Sequence, residues 1–525
     1  MAVPIHDQQN NHAEVVSQKP NSTLPGRSAG VLLHITSLPG EFGIGDFGPE
    51  AFQFIDFLSQ SGQKYWQILP LNSTHPEAGH SPYSSQGSFS LNPLFIDPHH
   101  LKELGLINKS SLKKYRLEVK SRLDYTDASN AKTALLSEAY EAFRKGAAKE
   151  LTPSFLRFVE ENQFWLSDFA LFECMSSIRK GSHWNEWPSE WRNRDEEALN
   201  TFQGEHEMEI RAIYFQQFIA AMQWARIKSY ANETGIQIMG DLPIYVAYNS
   251  ADVWSKPEIF KLNANSTMAE VAGVPPDYFN ENGQRWNMPI YRWDVLKNEG
   301  YKWWLSRIAK NLECVDLLRL DHFRGFSAFW QIPSDSETAR EGKWVKGPGS
   351  DFFKAVKKQF PEMPFVAEDL GDIDDKVYAL RDAYHLPGMK VLQFGFGKNL
   401  KKQEHNPDNY TKDCIAYSGT HDNNTLLAWY SRDVGRKTKR RIKKYVGKKV
   451  KKSLIHLELI RKLFASAAML TMVAMQDWLG LDEKGRMNYP STTKGNWSWR
   501  MKKASINTQQ SKLIRKISKE TGRLG

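Results

Sequence analysis

Eight short apolar runs, most ending abruptly in polar or glycine-rich residues and many separated by helix-like stretches, predict an α/β chain folded as a (β/α)8 TIM barrel. The runs cover residues 29–35, 65–71, 237–244, 315–321, 364–368, 389–394, 414–420 and 469–476. Each has the length and content of a buried parallel strand, although the last reads equally well as helix. Helix-like segments at 49–61 and 301–312 supply crossovers. The gap from 71 to 237 is far longer than one crossover needs. Its helix-like stretches at 131–149, 155–177 and 209–233 point to an inserted, mainly helical subdomain over about 100–232. A shorter, loop-rich insertion spans about 250–298. The expected organisation is a disordered polar arm over 1–25, a catalytic barrel over 26–505 carrying both insertions, and a basic tail over 506–525. The 525 residues suit one barrel with insertions as well as three separate domains.

Composition narrows the class. Apolar residues make up 41% and charged residues 25%, which excludes collagen-like, disulfide-rich and wholly disordered chains. No apolar run reaches membrane-spanning length, and the first 25 residues lack the apolar core of a secretory signal. Cys174, Cys314 and Cys414 are odd in number and far apart, which suits a reduced, cytoplasmic protein. The charge of 70 minus 60, or +10, is uneven: eleven Lys or Arg and no acid lie between positions 436 and 452, and a second basic stretch occupies 512–523. Such a block can track phosphates or an anionic membrane, or be a solvated helix face. Tyr445 is its lone aromatic, so no stacking platform for bases is present, and neither nucleic acid nor membrane is expected as a partner. The 17 Trp, 28 Phe and 19 Tyr exceed what charge patterning explains and suit flat apolar faces for sugar rings.

In a barrel of this kind chemistry sits at the C-terminal ends of the strands. Four of the runs lead into carboxylates there: Gly240-Asp241, Asp321-His322, Glu368-Asp369 and His421-Asp422. Any one of these would serve as a helix N-cap. Four converging on one mouth make the arrangement that glycosidic chemistry needs, with one carboxylate as nucleophile and one protonated carboxyl to release the leaving oxygen. Arg319 lies two residues before Asp321, so strand alternation puts both on one face, where the guanidinium would hold Asp321 as an anion. Glu368 follows apolar Phe365-Val366-Ala367, a setting for a raised pKa and an acid/base role. His421 and Asp422 form a natural pair for binding sugar hydroxyls. Chemistry alone leaves other divisions of these roles open.

Further motifs specify a family. Gly30-Val31-Leu32-Leu33-His34-Ile35-Thr36-Ser37-Leu38-Pro39-Gly40, Gly43-Ile44-Gly45-Asp46-Phe47-Gly48, Ser81-Pro82-Tyr83, Ala251-Asp252-Val253-Trp254, Val271-Ala272-Gly273-Val274-Pro275-Pro276-Asp277-Tyr278-Phe279, Arg486-Met487-Asn488 and Gly495-Asn496-Trp497-Ser498-Trp499-Arg500 resemble the 4-α-glucanotransferases, the amylomaltase and disproportionating-enzyme family of the α-amylase clan, from about residue 26 to 501. The resemblance implies retaining transfer between α-1,4-glucans such as malto-oligosaccharides, glycogen or starch, with no cofactor and no metal. It implies Asp321 as nucleophile, Glu368 as general acid/base and Asp422 as transition-state stabiliser. It also implies substrate contacts from Tyr83, Asp241, Arg319, His322, His421 and Asn488, and from Asp277, Tyr278, Phe279, Gln284 and Trp286 in a loop overhanging the cleft. Departures occur at Tyr248-Asn249, Asn280, Asn287-Met288, Ser491 and 398–409, which bear on subsite preference rather than on the carboxylates.

Other signals carry less. Residues 43–48 spell GxGxxG, but the acid a dinucleotide site needs at the end of the next strand is absent, so the glycines read as a tight turn. His99-His100 and Glu205-His206-Glu207 do not offer three metal ligands on one face. The Trp-rich stretch 184–191 reads as core before sugar platform. Two rival functions stand beside transfer: hydrolysis with the same carboxylates, and an inactive glucan- or nucleic-acid-binding protein using the basic block.

Overall fold

The computed structural model describes residues 26–276 and 280–524; the segment 1–25, expected as a disordered arm, lies outside the described residues. Its strands are β1 (Ser28–Leu32), β2 (Tyr65–Gln67), β3 (Gln237–Leu242), β4 (Glu270–Val274), β5 (Gln284–Pro289), β6 (Leu317–Leu320), β7 (Ala328–Pro333), β8 (Lys343–Lys346), β9 (Phe365–Ala367), β10 (Gly388–Val391), β11 (Cys414–Tyr417) and β12 (Leu470–Ala474). Eight of them pair in parallel in the order β10-β11-β12-β1-β2-β3-β6-β9. The ends of that order meet where the Ala367 N–H donates to the Pro387 carbonyl at 2.9 Å, so the sheet is a nearly closed barrel. Every apolar run anticipated as a barrel strand contains one of these eight. The ambiguous run 469–476 divides into β12 and the short helix Met475–Trp478. The runs are continuously apolar because β1, β2, β6, β9, β11 and β12 are buried along their whole length, walled by helices outside and filled by side chains within.

Turns position the mouth. The GxGxxG stretch is a tight turn before the helix Pro49–Gln60; a Cβ on Gly45 would stand 1.9 Å from the Ile35 carbonyl, so only glycine fits. Between β2 and β3 lie seven helices, the longest being Thr152–Ile178 and Glu207–Glu233, which pack on each other through Phe155, Phe158 and Phe218. Buried polar side chains fasten this helical region to the barrel. Gln217 and Gln223 bond the backbones of Leu91 and Asp97, and the fully buried Lys132 ammonium reaches Asp46 and the Ile96 carbonyl, each at 2.6 Å. Trp184 and Trp187 are buried here, so these two members of the Trp-rich stretch are core.

Two expectations need correction. The loop-rich insertion 250–298 carries β4 and β5, which join β7 and β8 in a separate antiparallel sheet ordered β5-β4-β7-β8. The half-exposed β5, with residues such as Asn287 and Pro289, has too little apolar alternation to announce itself. The basic C-terminal segment is likewise no loose tail. Its helix Thr508–Glu520 buries Ile514 and Ile517, and the fully buried Arg523 guanidinium bonds the carbonyls of Ser28, Phe464, Ser466, Ala468 and Met469 at 2.6–3.3 Å. Among the described residues, no helix is long and apolar enough to cross a membrane.

Candidate active site

Charged groups from four barrel strands, the neighbours β3, β6 and β9 together with β11, meet at the mouth. Asp241 stands inside β3 rather than after it, and register pairs it with Arg319 on β6. The Arg319 guanidinium is buried, and one of its nitrogens, Nη1, lies 2.7 Å from both Asp241 oxygens and 2.7 Å from Asp321 Oδ1. One cation therefore serves two carboxylates. Its proton is held well above the ordinary arginine range because Asp241 and Asp321 outweigh the burial that opposes charge. Asp241 itself is pulled up by burial, opposed by Arg319 and aided by Asp321. Asp321 is anchored through its own N–H to the Leu242 carbonyl at 3.0 Å, and its side chain reaches solvent.

Glu368 follows β9. Its Oε2 accepts the His322 N–H at 2.7 Å and its Oε1 the Leu370 N–H at 3.2 Å. His322 presents that N–H because its backbone is left-handed, with φ +49°, a conformation costly for a residue with a Cβ and retained where surrounding bonds fix it. The Glu368 carboxyl is pushed up to about 8, first by burial, against the Arg319 charge and with help from the Asp321 and Asp369 anions. Near neutral pH it keeps its proton, while Asp321 lies against the Arg319 guanidinium.

Asp422 enters from the turn after β11. Asn488 donates to its Oδ1 at 2.6 Å, and Arg486 ties its backbone carbonyl at 2.8 Å. His421 Nε2 lies 3.4 Å from its Oδ2. At 46% exposure the Asp422 side chain is open to a ligand in a way that fully enclosed Asp241 is not. Tyr83 closes the ring of contacts: its hydroxyl donates to Asp241 Oδ2 at 2.7 Å and lies 3.4 Å from His421 Nδ1. Its ring stacks on His421 at 5.0 Å and meets Trp497 at 5.8 Å. Burial and the Asp241 charge hold the Tyr83 hydroxyl well above its usual pKa, so it remains a donor.

Across the mouth, Trp286 on β5 sets its ring edge against His322 at 4.9 Å, while its indole N–H donates to Gln284 at 3.2 Å. His322 Nε2 is buried without a partner among the described residues, and burial pushes the ring down to about 4, leaving a neutral imidazole nitrogen for a ligand hydroxyl. Asp277, Tyr278 and Phe279 lie outside the described residues. His99, set aside as a metal ligand, faces Glu41 at 3.3 Å, and His206 packs on Phe202.

Sequence reasoning missed four contributors. Trp497 and Arg486 were quoted as motif members without a role. Asp369 bonds the Met389 N–H at 2.7 Å and Arg381 at 2.5 Å beneath Glu368. Asp477 clamps the 418–426 turn by accepting from Ser418 Oγ and the Leu426 N–H, both at 2.6 Å. Their partners are distant in the chain or buried in turns, so no local spacing marks them.

The arrangement offers a carboxyl pushed up by burial, a second 2.7 Å from a guanidinium and a third beside a histidine, in a cleft edged by Tyr, Trp and His rings. Comparison with known proteins agrees with this chemistry. The family model described as "4-alpha-glucanotransferase" matches residues 33–507. The chain is 42% identical to the 4-alpha-glucanotransferase of Aquifex aeolicus (strain VF5), covering 94% of this chain and 98% of that one. It is 41% identical to that of Thermus thermophilus, covering 95% and 99%. Among solved structures, the amylomaltase from Streptococcus agalactiae in complex with acarbose superposes with a TM-score of 0.91 at 36% identity, covering 95% of this chain and all of that one.

Proposed function

This chain belongs to the 4-alpha-glucanotransferase family and is an enzyme of that activity acting on α-glucans, and from that premise we propose a retaining, two-step transfer through a covalent aspartyl intermediate. Glu368, still protonated at neutral pH, donates its proton to the scissile glycosidic oxygen while Asp321 attacks the anomeric carbon. The C–O bond to the leaving fragment breaks as the bond to Asp321 forms, and the reducing-end fragment departs. The 4-hydroxyl of a second glucan then gives its proton to Glu368 and attacks the same carbon, releasing Asp321 and restoring the α-linkage. Asp422, fixed by Asn488 and His421, lies where positive charge spreading over the ring at the transition state meets a carboxylate. Tyr83 and His421 offer a stacked surface for the cleaved sugar, with Arg319 and Asp241 bracing it from below. Gln284, Trp286 and His322 line the opposite wall, and Asp277, Tyr278 and Phe279 belong to the same substrate loop by sequence.

The observation that carries this reading is the contrast between two carboxyl groups at one mouth: Asp321 lies 2.7 Å from a guanidinium, and Glu368 is pushed up to about 8 by burial. We place the reaction in the cytoplasmic turnover of maltodextrin with glycogen or starch, in keeping with three free cysteines. Incubation with pure maltotriose tests it. Transfer yields glucose together with chains longer than three, and Asp321→Asn abolishes both. Products no longer than the donor, with new reducing ends to match every cleavage, would make water the acceptor and overturn transfer. A glycosylated Asp321 peptide trapped from Glu368→Gln with an activated fluoride donor tests the covalent step directly.

A further inference from the structure

The basic block plays no part in the reaction just described, yet it lies beside it. From Asp422 the chain passes through Asn424, whose amide donates to Asp433 at 3.0 Å, and Ser431, whose carbonyl accepts the Lys439 ammonium at 2.9 Å, into the helix Arg436–Val446. That helix rests on the segment leaving β10. Arg441 donates to the Phe396 carbonyl at 3.1 Å, and Tyr445 packs on Phe396 and donates to Asp408 at 2.8 Å. Both segments leave the C-terminal ends of barrel strands, the end that carries the carboxylates. The cations therefore border the mouth rather than the far side of the barrel.

On the helix itself the charge is one-sided, although the neighbouring segment carries Glu404 and Asp408 beside its lysines. Among the described residues, Lys448 alone of the eleven Lys and Arg between 436 and 452 meets a carboxylate, Glu458 at 2.8 Å. Arg436, Lys437, Arg440, Lys443, Lys444, Lys449, Lys451 and Lys452 are exposed, as are Lys398, Lys401 and Lys402 on the neighbouring segment. A solvated helix face ordinarily mixes signs. The helix spends its apolar residues inward, with Ile442 and Val446 buried, so it keeps no apolar stripe to enter a bilayer. Tyr445, the one ring on the helix, is covered by Phe396 and Lys462, so the helix offers no free ring to stack a base. What remains is an array of flexible point charges, suited to scattered phosphates rather than to a shaped ligand.

We propose that this cationic rim, formed by the helix Arg436–Val446 with Lys398, Lys401 and Lys402, binds α-glucan polymers carrying phosphate monoesters and holds them at the barrel mouth. The proposal rests on the glucan reading of the cleft in one respect: the polymer passing this rim is a neutral chain, so an anion met there rides on it as a substituent. A phosphate monoester carries close to two charges at neutral pH. One polymer engaging cleft and rim together gains affinity through effective concentration, with no new contact at the reacting bond. A trisaccharide without phosphate gains nothing.

The test uses the full chain and the triple variant Arg440→Gln, Lys443→Gln, Lys444→Gln, all at exposed positions outside the cleft. Substrates are phosphate-bearing amylopectin, the same polymer after phosphatase treatment, and maltotriose. In the wild type the KM for phosphorylated polymer should be about tenfold below that of the dephosphorylated one. The difference should vanish in the variant and in about 0.5 M salt, where screening is complete within a few ångströms. Maltotriose transfer should be equal in both proteins. A wild-type KM indifferent to phosphate, or a variant that keeps the preference, overturns the proposal. So does retention of duplex DNA or anionic vesicles without preference for the phosphorylated glucan. Failure of wild-type maltotriose transfer would strike the transferase reading instead.

Discussion

Arg319→Met isolates the role of the shared cation, because methionine keeps an unbranched stem of similar length and removes the charge. In the wild type one guanidinium nitrogen lies 2.7 Å from three carboxylate oxygens, two on Asp241 and one on Asp321. At an effective dielectric near 20, each charge pair about 4 Å apart is worth roughly 4 kcal/mol before desolvation. Burying the guanidinium offsets much of that sum, and removing one partner of a buried pair costs about 3–5 kcal/mol net. The Tyr83 hydroxyl still donates to Asp241 and keeps the loss from being larger. The sign of the pH dependence follows from Asp241, whose carboxyl is already raised by burial and loses the one strong opposing charge. A folded-state pKa above the unfolded value penalises the fold at high pH and relieves it as pH falls. The stability gap between variant and wild type should therefore be widest near pH 7.5 and narrow towards pH 5. Urea unfolding followed by tryptophan fluorescence at both pH values measures it. A gap under about 1 kcal/mol, or one that does not change with pH, would refute the argument that charge is what this arginine contributes.

Other perturbations read separate parts of the site. Because burial lifts Glu368 to about 8 and its protonated form starts the reaction, kcat/KM for maltotriose should hold up to about pH 8 and fall about tenfold per pH unit beyond; a fall near pH 5 would contradict this. Tyr83→Phe removes a hydrogen bond to a charged acceptor and should lower kcat/KM by about tenfold to a hundredfold while the protein stays folded by circular dichroism. Asp369→Asn should move the basic limb to lower pH, since it deletes an anion that raises Glu368; a limb that stays in place would make Asp369 structural only. Arg523→Met takes a donor from five carbonyls, of which Phe464 and Ser466 keep Arg27 and Met469 keeps the Ser28 N–H, and should cost about 3 kcal/mol in urea unfolding with unchanged transfer per folded molecule.

The sequence discloses what period and punctuation encode. All eight barrel strands are legible because burial makes them mainly apolar, although β3 begins exposed and β10 admits Lys390, and Asp321, Glu368 and Asp422 are legible because each follows a strand end. Arg319 is legible by alternation alone. The antiparallel sheet is not, because β5 and β8 are half-exposed and mix Lys, Gln, Asn and Trp without a period of two. Nor is the docking of the C-terminal helix, which rests on buried Ile514 and Ile517 and on Arg523, whose carbonyl partners lie 54 to 495 residues away. The left-handed turn at His322 is hidden for another reason: histidine adopts it more readily than most residues but in only a minority of cases, and the Glu368 carboxylate that accepts its N–H at 2.7 Å is not visible in the local sequence.

Asp369 shows why the acid/base and the barrel cannot be altered independently. The seam between β9 and β10 lacks a paired ladder, and its bonds are the Ala367 N–H to the Pro387 carbonyl and the Met389 N–H to the Asp369 carboxylate. Glu368 is the residue between those two anchors. Its side chain is aimed by a backbone that the seam itself fixes, while Arg381 at 2.5 Å keeps the Asp369 charge in place below it. A Cβ on Gly388 would come within 2.4 Å of that carboxylate, so the strand opposite must carry glycine for the seam to close. The same anion that closes the barrel also raises the Glu368 carboxyl. One buried side chain therefore takes part in closing the barrel and, after burial and the Asp321 charge, in holding the Glu368 proton.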